Sequence, residues 1–152
     1  MNPSRTWPAE LDWPFFSDAH REFKQGLDGW CAQNLHDLAH EEDRTAVDRQ
    51  CLQLVERLGA GGWLRHAVAG KIHGGAQEQL DTRELCLLRE TLARHDALAD
   101  FAFAMQGLGT GAIGLAGSDT MKPTSDAGTP SSTIITRFNV PVSKTVAMPT
   151  ET

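Results

Sequence analysis

The sequence predicts an all-α protein, a helical bundle with a disordered C-terminal tail, on three observations. Apolar residues recur at helical spacing through the first four-fifths of the chain. Acidic residues stand where helices start, and glycines stand where they stop. After Lys122 the charge thins and Thr, Ser and Pro take over, in "PTSDAGTPSSTIITRFNVPVSKTVAMPTET". The expected organisation is an N-terminal arm over 1–14, a helical domain over 15–122 and a tail over 123–152. At 152 residues the chain is long enough for one sizeable core.

The first helix is expected from about Ser17 to Ala39, with Phe23, Leu27, Trp30, Cys31 and Leu38 sharing one face. The second begins after Asp43 and carries Val47, Cys51, Leu54, Val55 and Leu58 before Gly59, Gly61 and Gly62 end it. A glycine-rich link, "GAGGWLRHAVAGKIHGGA", holds Trp63 between turn signals. The third helix opens with Asp81 and Glu84 at the spacing of a capping box and should bury Leu85, Leu88 and Leu92. The fourth starts near Asp96, with Leu98, Phe101, Ala102 and Met105 on one face and Phe103 on another, the pattern of a helix central to a bundle.

Residues 107–114, "GLGTGAIG", contain Gly109, Gly111 and Gly114 in the order G-x-G-x-x-G, which in a dinucleotide fold cradles a pyrophosphate. That function needs a strand running into the glycines and an acid about 20 residues later. Here the approach, "ALADFAFAMQ", is helical, and the position for the acid falls in the Ser/Thr stretch. The expectation is instead a packing turn. In this reading Gly107 ends the fourth helix in a left-handed conformation, while Gly111 and Gly114 allow close approach of the next segment.

Composition excludes several classes. A formal net charge of −6 without clustered Lys and Arg argues against a nucleic-acid surface. No basic-then-apolar leader opens "MNPSRTWPAELDWPFF", and nothing suggests a membrane protein. Cys31, Cys51 and Cys86 are odd in number and form no C-x-x-C pair, the usage of reduced thiols in a cytoplasmic setting. All three fall on or beside apolar faces and should be inert. His36 and His40 lie four apart beside Glu41, a metal-binding spacing, but no further ligands are placed to complete a site, so a wet helical surface is expected. His66 and His73 sit in the link, too loosely framed for a catalytic triad.

The run "LCLLRETLARHDALADFAFAMQGLGTGAIGLAGSD", preceded by "LVERLGAGGWLRHAVAG", resembles the N-terminal helical domain of the acyl-CoA dehydrogenases. The resemblance extends from about Trp13 to Lys122, and beyond "GSDTMK" the chain departs from the family pattern. It implies, for the complete enzyme, FAD as cofactor and an acyl-CoA thioester as substrate, dehydrogenated between its α and β carbons. It also implies that Ala104, Met105, Gln106 and Leu108 match positions forming the floor of the acyl-chain pocket. In that family the flavin site and the base lie in later domains, so no catalytic, cofactor-binding or metal residue is assigned here. Glu84 and Glu90 are expected to be a cap and a solvated side chain.

This chain alone is expected to be inactive and to hold no cofactor. The alternative is a non-enzymatic helical module docking a partner or a full-length homologue. With the rest of the family fold absent, the apolar residues of the fourth helix should form an exposed patch that favours self-association. Within the tail, Ile134, Thr136, Phe138, Val140 and Val142 alternate as in a strand, interrupted by Pro141.

Overall fold

The computed structural model describes residues 9–38 and 43–118. The disorder expected of the tail and its strand pattern lie outside these residues, as do Ala39, His40 and Glu41. Four α-helices carry the architecture: α1 (Asp18–Asn34), α2 (Arg44–Ala60), α3 (Thr82–His95) and α4 (Ala97–Ala116). Short 3-10 turns occupy Ala9–Asp12, Trp63–Ala67 and Lys71–His73, and among the described residues one parallel bridge joins Ala69 to Gln77. In packing order α3 lies between α1 and α4, and α4 lies between α3 and α2, with the Trp63–Ala67 turn wedged against α2, α3 and α4.

Helices α2, α3 and α4 each start where an aspartate accepts from a free amide. Asp43 accepts from the Ala46 N–H at 3.0 Å to open α2, and Asp81 accepts from the Arg83 N–H at 2.9 Å to open α3. At α1 the Ser17 N–H donates to His20 Nδ1 at 3.1 Å. Helix α1 ends at Asn34, earlier than expected, because Leu35 leaves helical geometry and tucks its side chain into the core.

The core gathers Leu27, Cys31 and Leu35 with Leu54, Val55 and Leu58, then Leu64 and Ala67, Leu88 and Leu92, and Ala99, Ala102 and Phe103. Each buried leucine contributes roughly 1.5–3 kcal/mol. The apolar faces expected for α1, α2 and α3 are those buried, with Phe23, Trp30, Leu38 and Leu85 packed at the margin. Trp63 closes one end, its ring edge-on to Phe23 at 5.7 Å and to Trp30 at 6.0 Å. Gly61 permits that closure: a Cβ there would stand 2.7 Å from Trp30 Nε1 and 2.8 Å from Trp63.

Three expectations are corrected. Gly107 does not end the fourth helix: α4 runs unbroken through Gly107, Gly109, Gly111 and Gly114, and its C-cap is Gly117. Its glycines adopt no left-handed conformation, and a Cβ at Gly109, Gly111 or Gly114 would meet nothing within 4 Å. Close approach therefore does not explain Gly111 or Gly114. The inward face of α4 is also not the one expected, for Ala99, Ala102 and Phe103 are buried while Phe101 and Met105 face outward. Finally, Cys86 is exposed, one position ahead of the buried Leu87 and Leu88.

Candidate functional site

The outer face of α4 is built by a tight joint. Asp96 is the single residue between α3 and α4: its N–H donates to the Leu92 carbonyl at 2.7 Å, and its carboxylate accepts from the Ala99 N–H, also at 2.7 Å. Arg89 of α3 then donates to both Asp100 oxygens, at 2.9 and 2.8 Å, a bidentate pair that fixes the roll of α4. With Phe103 inward, the 100° step per residue sends Phe101, Met105 and Leu108 outward along one stripe. They are 56%, 45% and 70% exposed. From Phe101 to Ala116 no residue is charged. These three side chains leave an uncharged apolar stripe exposed over about two turns of the helix.

The positions implied for the acyl-chain pocket do not share one face. Met105 and Leu108 lie on the outer stripe and Ala104 flanks it, half-buried, whereas Gln106 points inward and is buried. The G-x-G-x-x-G pattern cannot cradle a pyrophosphate, because the amides of these glycines belong to the α4 ladder. The described residues therefore offer no flavin cradle at these glycines, and no chemical step through a flavin is derived from them.

A polar node lies at the opposite end of α3. Glu84 does not complete a capping box. Its oxygens accept from Gln77 Nε2 at 2.7 Å and pair with His66 Nδ1 at 2.9 Å, so the link is stitched to the first turn of α3. The His66 ring lies 4.8 Å from Phe23 and stacks on Trp63 at 6.1 Å. Asp81 accepts from the Arg83 guanidinium at 2.7 and 3.0 Å and sits 3.2 Å from His20 Nε2. Hydrogen bonds from the Arg83 side chain, then from its backbone and from His20, hold the Asp81 carboxyl well below the usual carboxylate range. The Ser17 N–H on His20 Nδ1 leaves Nε2 to donate to Asp81, which assigns the ring's tautomer from its partners. With both oxygens engaged, Glu84 is a tie between elements.

Lys24 is the least anticipated side chain. It is 2% exposed, donates from Nζ to Thr91 Oγ1 at 3.0 Å, and lies 3.8 Å from Glu90, so Glu90 is a counter-ion shared with Arg94 as well as a partly solvated residue. The sequence did carry a signal: His20, Lys24, Leu27 and Cys31 recur at i, i+4, i+7 and i+11, and all four are buried. Burial pushes the Cys31 thiol up to about 12, which keeps it protonated and unreactive. His36 is exposed, and among the described residues no three His, Cys, Asp or Glu side chains gather to hold a metal. Among them, too, no helix is long and apolar enough to cross a membrane.

No curated protein matches the chain. Compared with known families, residues 17–124 match "Acyl-CoA dehydrogenase, N-terminal domain". That span takes in all four helices, the α4 stripe, the polar node and Lys24. The chain therefore belongs to the acyl-CoA dehydrogenase family, and its helical bundle is the N-terminal domain of that family.

Proposed function

We propose that this chain is the N-terminal part of an FAD-dependent acyl-CoA dehydrogenase that unsaturates acyl-CoA thioesters between the α and β carbons. The observation that carries the reading is the family match over 17–124 together with an uncharged, outward-facing stripe on α4. In the complete enzyme the role of this domain is to cover the acyl chain. Met105 and Leu108 present apolar surface to it, Ala104 leaves room beside them, and buried Gln106 supports the helix from behind. The flavin, when bound, accepts the hydride from the β carbon. In the family the residues that hold it and the base that takes the α proton lie in later domains, and none is assigned within the described residues. The chain alone is inactive and its setting is the cytoplasm.

An absorbance spectrum of the purified chain, recorded after adding FAD and removing free dye, tests this. A bare protein spectrum and no turnover of any acyl-CoA are expected, and retained flavin bands would overturn the claim of inactivity. The exposure of Phe101, Met105 and Leu108 favours a second reading, a non-enzymatic module that docks a partner or a full-length homologue. A stable stoichiometric complex with a complete dehydrogenase, formed by a flavin-free chain, would select it.

A further inference from the structure

The geometry points to a second activity at the start of α1: Ser17, His20 and Asp81 act as nucleophile, base and orienting carboxylate in the hydrolysis of aryl carboxylic esters. Ser17 is exposed and His20 is buried beside it, while Asp81 comes from the start of α3, 61 residues from the histidine. The Ser17 hydroxyl lies 2.7 Å from His20 Nδ1, and His20 Nε2 lies 3.2 Å from Asp81 Oδ2. Such a set is recognised by its geometry and its roles, whatever fold carries it. It needs no flavin and stands apart from dehydrogenation.

The roles follow from the protons. With Nε2 donating to Asp81, Nδ1 keeps its lone pair for Ser17, whose hydroxyl at 2.7 Å is a closer donor than its N–H at 3.1 Å. Opening the helix requires the Ser17 and His20 pair alone. Asp81 adds what a nucleophile requires, because it fixes the ring's tautomer and balances the charge once Nδ1 has taken a proton. Asp81 is thus a positioning residue, itself held by the Arg83 guanidinium at 3.0 and 2.7 Å.

The surroundings suit an aryl group. A row of rings runs from Trp13 to Phe15 at 5.4 Å, on to Phe16 at 4.6 Å and to His20 at 5.8 Å, and its first two members are exposed. The loop that bears them is pinned in three places. The Phe16 N–H donates to the Trp13 carbonyl at 3.0 Å, Arg83 to the Phe15 carbonyl at 3.0 Å, and Arg21 Nε to the Leu11 carbonyl at 2.9 Å. Asp18 and Ala19 open α1, so their N–H groups have no acceptor within the helix and can stabilise a developing oxyanion. The Asp18 carboxylate pairs with Arg21 at 2.8 Å, which offsets its charge.

In the first step Ser17 Oγ attacks the ester carbonyl carbon while its proton passes to Nδ1. The bond to the aryl oxygen breaks, and the phenol leaves with that proton. Water, losing a proton to Nδ1, then cleaves the acyl-serine, releasing the carboxylic acid and restoring the hydroxyl.

The test offers the full chain p-nitrophenyl acetate and, separately, a fluorophosphonate that phosphonylates activated serines, with circular dichroism to verify the fold of each variant. Peptide mass spectrometry is expected to find the phosphonyl group on Ser17, and His20→Gln should slow that labelling about 100-fold. Asp81→Asn should slow it as well, with partial rescue in Asp81→Glu. Ser17→Ala should reduce ester hydrolysis to the level of free imidazole at the same histidine concentration, and His36→Ala, which changes an exposed ring, should leave it unaltered. An unlabelled Ser17 in the folded chain would overturn the proposal. So would hydrolysis indifferent to Ser17→Ala, which would assign the rate to surface imidazoles.

Discussion

Replacing Gly109, Gly111 and Gly114 together by alanine should stabilise the protein. Glycine within a helix is less favourable than alanine by roughly 0.8–1.0 kcal/mol. A Cβ at each of these positions meets nothing within 4 Å, so no steric cost offsets the gain. Gly114 lies in the final turn of α4, where fraying reduces its share, which leaves about 2 kcal/mol for the triple variant. For a domain near this size 1 kcal/mol moves Tm by about 5 °C, so the expected rise is roughly 10 °C. Thermal unfolding followed at the helical circular-dichroism band measures it. Gly61→Ala is the opposing control: its Cβ would stand 2.7 Å from Trp30 Nε1, and overpacking of this kind costs about 1–3 kcal/mol. Had the segment been a left-handed turn, the triple variant would lose about 1–2 kcal/mol per forced residue. A lowered Tm for the triple variant would refute the continuous helix.

Two further outcomes are expected. Thr91→Val removes the acceptor of buried Lys24 and should cost about 1.5–3 kcal/mol, whereas Lys24→Met, which removes the charge and keeps the stem, should be near neutral or stabilising; urea unfolding of the two variants compares them. The depressed Asp81 carboxyl contributes stability that is present above the ordinary carboxylate value of about 3.9 and lost as pH falls through its lower folded value. Asp81→Asn, which keeps a capping oxygen, should therefore flatten the acid limb of a stability-against-pH curve, and an unchanged acid limb would show that other carboxylates set it.

What was legible in the sequence was the repeat, and what escaped was its orientation. In α2 and α3 one apolar stripe exists, so periodicity alone identifies the buried face, as Leu54, Leu58, Leu88 and Leu92 show. Helix α4 carries two, one through Phe103 and one through Phe101, and nothing in the spacing says which meets α2 and α3. The bidentate Arg89 to Asp100 pair and the Asp96 joint settle its roll, and both depend on the neighbouring helix. The glycines of α4 were misjudged for a related reason. Local propensity reads them as a turn, while the docked first half of α4 and the Thr110 hydroxyl on the Gln106 carbonyl belong to a continuing helix. His66 and Glu84 are 18 residues apart with no periodic relation, so their pairing could be found only in three dimensions. Lys24 was legible, had polar residues been admitted to the buried stripe of α1.

The joint at Asp96 also has a consequence for how the molecule moves. With one residue ending α3 and starting α4, there is no slack in which the two helices could part by turning about a loop. They make a short-range hairpin whose contacts close early in folding, before α1 finds α3 across some sixty residues. Amide exchange in α3 and in the packed half of α4 should accordingly report a single cooperative opening, with the glycine-rich end of α4 exchanging ahead of it.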